Sequence, residues 1–159
     1  MAPFDDDHQL RDGIDRSLAV LPGDFAVAGA GATRLVIGPP GAFVLEGCAP
    51  ERLEVGAARV AGLAAATRAI LADHVSWVPF VDGLVVVAGR TDPHPSVTMV
   101  PVDLLVDTLV QGPEVVSPPV LSTVHALLRE SRLGVWRLAF AVREGRIDLS
   151  EPARQTSTS

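Results

Sequence analysis

The chain holds 159 residues, which suits one domain with modest tails rather than two domains. Apolar residues make up 48% and charged residues 20%, enough for a sizeable core and too apolar for global disorder. All 13 basic residues are arginine, and 19 acidic residues leave a net charge of −6, which excludes a surface that grips nucleic acid over its whole extent. A local basic cleft is compatible with that balance.

The start, Met1-Ala2-Pro3-Phe4-Asp5-Asp6-Asp7-His8, is acidic where a secretory signal needs a basic flank before an apolar run. No uncharged apolar stretch reaches the ~18 residues of a spanning helix. The single Cys48 excludes an internal disulfide and a cysteine-based zinc cluster. A cytoplasmic protein with no membrane partner is expected. The absence of Lys and Tyr beside abundant Ala, Val, Gly and Arg fits a GC-rich bacterial genome.

Residues 1–7 read as a mobile acidic leader. Leu10, Ile14, Leu18 and Leu21 then fall at helical spacing until Pro22-Gly23 stops the pattern. A strand is predicted from Asp24 to Ala28, followed by a flexible Gly29-Ala30-Gly31. Arg34 to Gly38 and Ala42 to Glu46 are apolar strand-forming runs around Pro39-Pro40-Gly41, which reads as a β-hairpin. Pro50 to Asp73 is rich in Ala and Leu and predicts a long, well-buried helix lying close against a sheet. Val75 to Phe80 and Leu84 to Ala88 read as strands around Asp82-Gly83, a hairpin signal. After the Pro-containing loop from Gly89 to Ser96 come a strand (Val97 to Val100) and helices from Asp103 to Val110 and Pro119 to Arg132. Val135 to Val142 reads equally as an edge strand or a continuing helix. Residues 151–159 read as a disordered tail after a single domain spanning 8–150. The order helix, three strands, helix, strands, helices implies an α/β layer sandwich around a mixed sheet.

Several candidate sites fail on their chemistry. Gly29-Ala30-Gly31 lacks the third glycine and the following helix that a dinucleotide loop needs. His8, His74, His94 and His125 form no pair at metal-ligand spacing, and no Gly-x-Ser-x-Gly elbow accompanies them. Asp5-Asp6-Asp7 reads as a solvated charge run. Phe4, Phe25, Phe43, Trp77, Phe80, Trp136 and Phe140 sit at strand-like positions and read as core. The hairpin is different. Strand alternation sets Val44, Glu46 and Cys48 on one side, and a carboxylate at the end of a buried strand can hold Mg²⁺ or Mn²⁺ through oxygen. A cation two residues on would steer an attacking water and offset phosphate charge. Glu46 meets the first requirement; Cys48 does not meet the second.

The stretch Leu35-Val-Ile-Gly-Pro-Pro-Gly-Ala-Phe-Val-Leu-Glu46 resembles the nuclease-related domain (NERD) family, whose members carry an Asp-His-Leu-Val-Ile-Gly-Pro-x-Gly-Val-Phe-Val-Ile-Asp/Glu-x-Lys type of segment. The resemblance spans about residues 10–130 and implies a restriction-endonuclease-like mixed β-sheet flanked by helices. Residue by residue, the family's metal-binding Asp falls on Thr33, its His on Arg34 and its Lys on Cys48, while the second acidic position is kept as Glu46. Asp15 or Asp12 stands where an upstream acidic residue is expected. A relocated site would draw on Glu51 or Glu54.

Three functional expectations follow. The first is a non-catalytic binding or regulatory module on a nuclease fold, needing no cofactor and serving an unknown protein partner. The second is a weak Mg²⁺- or Mn²⁺-dependent phosphodiesterase using a vestigial Glu46 with Asp15, with Arg34 contacting substrate as the permanent cation. The third is a protein–protein scaffold, for example a homodimer, with no role in nucleic-acid binding, a partner class that the acidic charge disfavours.

Overall fold

The computed structural model describes residues 3–75, 81–89 and 97–138. Helix α1 (Pro3–Ala19) opens the chain. Proline suits a helix start because its missing N–H would have no partner there. Residues 5–7 therefore belong to this helix and are not the separate leader expected from their charge. Strands β1 (Ala26–Ala30), β2 (Thr33–Gly38) and β3 (Gly41–Gly47) follow as a meander. Gly31 makes the first turn with a φ of +61°, a left-handed conformation that glycine adopts freely. The second turn is Pro39-Pro40, as the sequence predicts.

A 3-10 turn at Pro50–Arg52 leads into α2 (Leu53–Ala72), which crosses over to β4 (Val81–Val87). Then come β5 (Thr98–Pro101), the short α3 (Leu105–Val110), α4 (Pro118–Arg129) and the two-residue β6 (Arg137–Leu138). The six strands form one mixed sheet in the order β5-β4-β3-β2-β1-β6. β1, β2, β3 and β6 pair antiparallel, while β3, β4 and β5 run parallel. The parallel β3–β4 step is what requires a helical crossover of the length of α2.

Alternation along the strands sends side chains to the two faces of the sheet, each with its own packing. On one face Val36, Phe43, Leu45 and Val86 meet Leu10, Ile14 and Leu18 of α1 and Leu105 and Leu109 of α3. On the other, Leu35, Ile37 and Val44 meet Val60, Ala64 and Leu71 of α2 and Val124 and Leu128 of α4. Trp136 seals this second core, and its indole Nε1–H donates to Thr67 Oγ1 at 2.8 Å. The α/β sandwich around a mixed sheet is therefore present.

Some local expectations change. Asp82-Gly83 is not a turn among the described residues but part of β4, and Val60 of α2 lies against it. A Cβ at Gly83 would stand 2.7 Å from Val60 Cγ1, so this glycine serves close helix–sheet packing rather than chain reversal. The other half of that proposed hairpin, 76–80, lies outside the described residues. α2 lies against the sheet as expected, but it is less buried than its composition suggests: one face is covered and the rest meets solvent, with Val55 60% exposed. By length and mean hydropathy (1.4), Pro50–Ala72 also has the dimensions of a membrane-spanning helix, although its buried face packs on the sheet. The described part of Val135–Val142 resolves to the edge strand β6, and residues 151–159 lie outside the description.

Two glycine substitutions should move stability in opposite directions. Gly83→Ala forces Val60 aside and is expected to cost about 1–3 kcal/mol. Gly62→Ala, with nothing within 4 Å of its added Cβ on the exposed face of α2, is expected to stabilise by up to about 1 kcal/mol. Urea midpoints of the two variants check both signs.

Candidate functional site

The candidate site grows out of the β2–β3 hairpin. Its register pairs Arg34 with Leu45 and Val36 with Phe43, and one further step sets Thr33 opposite Glu46. Both are buried, at 2% and 6% exposure. The Thr33 hydroxyl donates to Glu46 Oε1 at 2.7 Å. The second carboxylate oxygen, Oε2, meets Arg59 Nη1 of α2 at 3.0 Å. Glu46 thus has a donor on each oxygen, one neutral and buried, one charged and half-exposed.

Arg34 points to the opposite face of the sheet, toward α1. Its Nε donates to Asp15 Oδ1 at 3.2 Å. Its Nη1 donates to the carbonyl oxygens of Gly31 at 2.6 Å and Thr33 at 3.1 Å. The arginine is buried, and these acceptors offset what its charge loses in solvation.

Cys48 continues the ladder one residue past β3, its backbone N–H donating to Val86 O at 3.0 Å. The thiol is buried against Gly56 of α2, where any Cβ would collide with the sulfur. Burial, reinforced by the Glu46 carboxylate and opposed by Arg59, pushes the thiol up to about 11. It is a neutral group at physiological pH and supplies neither a cation nor a thiolate nucleophile.

These groups meet at the ends of β2 and β3, where α1 and α2 leave a cavity of about 110 Å³ lined by Arg11, Asp15, Arg34, Glu46, Arg52 and Arg59 together with Cys48. The expected site residues Glu46, Asp15 and Arg34 therefore do share one cavity. Arg34, however, is engaged by Asp15 and not by Glu46. Arg59 takes the place beside Glu46, and sequence reasoning missed it, as it missed Arg52 and Arg11. A signal was present: Arg52 and Arg59 lie seven residues apart, about two helical turns, and the Glu46 strand end leads directly into that helix. Glu51 and Glu54 are exposed and do not line the cavity, so no relocated acidic site forms there. His8 lies 3.6 Å from Asp12 on the exposed side of α1.

The donor set offers Mg²⁺ or Mn²⁺ few uncommitted oxygens. These ions take hard oxygen ligands, Mg²⁺ with near-ideal geometry. Here Thr33 is neutral and spends its hydroxyl proton on Glu46, both Glu46 oxygens have side-chain partners, Asp15 is held by Arg34, and Cys48 offers a protonated sulfur. Among the described residues no group of three or more His, Cys, Asp or Glu is placed to hold a metal ion. No known protein family, curated protein or solved structure matches the chain.

The Cys48 environment can be read by alkylation. The buried Cys48 is expected to react with iodoacetamide at pH 8.5 at least about a hundredfold more slowly in the native protein than in urea. Native modification as fast as in urea would contradict the buried placement.

Proposed function

We propose that the chain is a non-catalytic binding or regulatory module built on a restriction-endonuclease-like scaffold of the nuclease-related type. The element order supports the scaffold: a helix carrying Asp15, a meander ending in the Gly-Pro-Pro-Gly hairpin, an Ala-rich crossover helix and a parallel strand beyond it. One observation carries the loss of catalysis. Glu46, the acidic position the resemblance retains, has one oxygen bonded to Thr33 and the other to Arg59. A metal at Glu46 would share both oxygens with donors already in place, a buried hydroxyl and a guanidinium. Thr33 and Arg59 thus do internally what a divalent cation would do for a pair of carboxylates, compensating the buried charge.

The rival is a weak metal-dependent phosphodiesterase, favoured by the presence of Asp15 and Glu46 in one cavity. Calorimetric titration with Mn²⁺ separates the two. The non-catalytic reading expects wild type and Glu46→Gln to give the same isotherm, and no Mn²⁺-dependent cleavage of DNA or RNA. It also expects Thr33→Asp combined with Cys48→Lys to gain Mn²⁺ affinity, because the pair restores a hard ligand and a cation. Mn²⁺ binding in the wild type that vanishes in Glu46→Gln would overturn it in favour of the phosphodiesterase.

A further inference from the structure

The same cavity has a charge that the loss of a metal site does not account for. Four guanidiniums, of Arg11, Arg34, Arg52 and Arg59, line it beside the two carboxylates of Asp15 and Glu46, in a chain whose net charge is −6. The Cys48 thiol, pushed up to about 11, adds no charge. Asp15 and Glu46 each hold one arginine in place, Arg34 and Arg59 respectively. The Arg34 bonds run through Nε and Nη1, so its Nη2 donors lie outside them. The two carboxylates therefore serve to position cations at the rim of a concave site, and Arg11 and Arg52 raise its potential from the two helices that flank it.

Size restricts the occupant. At about 110 Å³ the cavity is far below the roughly 300–1,000 Å³ of sites that enclose a drug-sized ligand. It has room for a small cluster of waters, since about 10–15 Å³ of such space holds one. Planar guanidiniums match the oxygens of a phosphate group two at a time. A phosphomonoester carries about −1.5 to −2 at neutral pH, whereas a phosphodiester carries a single charge.

We propose that this cavity binds a compact phosphate dianion, either inorganic phosphate or the monoester end of a larger molecule, without a metal. The proposal rests on the metal-free reading of Glu46 and names the ligand class of that same site. Arg34 and Arg59, each held by a carboxylate, form its wall together with Arg11 and Arg52. Val55, 60% exposed and lining the same cavity, is the position where charge can be reversed without touching the buried pairs.

Calorimetry in EDTA with inorganic phosphate, glycerol phosphate and dimethyl phosphate tests it. Both dianions are expected to bind at one site, with the diester weaker by about tenfold or more. Arg11→Gln and Arg52→Gln should each weaken the dianions about tenfold. Val55→Glu should abolish binding, and Val55→Gln, of the same length without the charge, should retain it. Either order of the two dianions supports the proposal; tighter inorganic phosphate names the free ion, and tighter glycerol phosphate names an ester terminus. Absence of binding by both dianions, equal binding of the diester, or binding that persists in Val55→Glu overturns it. Phosphate binding that appears only when Mn²⁺ replaces EDTA overturns it together with the metal-free reading. Absence of phosphate binding in both conditions, with the Mn²⁺ isotherm unchanged by Glu46→Gln, overturns this proposal alone.

Discussion

Taking a carboxylate out of water costs several kcal/mol even after the protein relaxes around it. Glu46, 6% exposed at the end of a strand between two helical layers, faces such a cost. Its partners come from two directions. Thr33 arrives by hairpin register, on the neighbouring strand and on the same face. Arg59 arrives from the crossover helix that the parallel β3–β4 pairing makes necessary. A carboxylate left with one partner would retain most of its desolvation cost, so the hairpin, the helix and their mutual approach constrain one another. Gly56 and Gly83 mark how near that approach is, since a Cβ at either would collide with Cys48 or Val60.

The sheet then decides how charge is distributed. Thr33 and Glu46 belong to the face under α2, while Arg34, one residue on, turns to α1 and meets Asp15 there. Two acid–arginine pairs thus occupy opposite faces and meet only at the strand ends, where the cavity opens. This arrangement makes the site basic inside an acidic protein and leaves its two carboxylates already committed. Such preorganised arginines recognise an anion at little further cost in side-chain ordering.

Much of the scaffold was legible in the sequence because it rests on local rules. The Pro39-Pro40 turn between two strand-forming runs gives the hairpin, and its short turn sets the register that places Thr33 opposite Glu46. The spacing of Leu10, Ile14 and Leu18 gives α1, and the Ala-rich stretch gives α2. What escaped depends on contacts between distant segments. Asp82-Gly83 carries a turn signal, yet Gly83 answers to Val60, more than twenty residues upstream, and the strand runs through it. Arg59 looks like any solvated helix arginine until the crossover brings it to Glu46. Charge alone points Arg34 toward a substrate, and only the position of α1 discloses that Asp15 holds it. Composition reported the global sign of the charge and not its local reversal.

The account turns on Glu46 being satisfied by its own chain. A double-mutant cycle of Thr33→Val and Glu46→Leu, read by urea unfolding, measures the buried half of that claim most directly. Each single change strands a partner or removes one, whereas the double change replaces both with apolar groups of similar shape, so a coupling of about 1–3 kcal/mol is predicted. Additive losses, with coupling below about 0.5 kcal/mol, would contradict the hydrogen-bonded pair at the centre of the site.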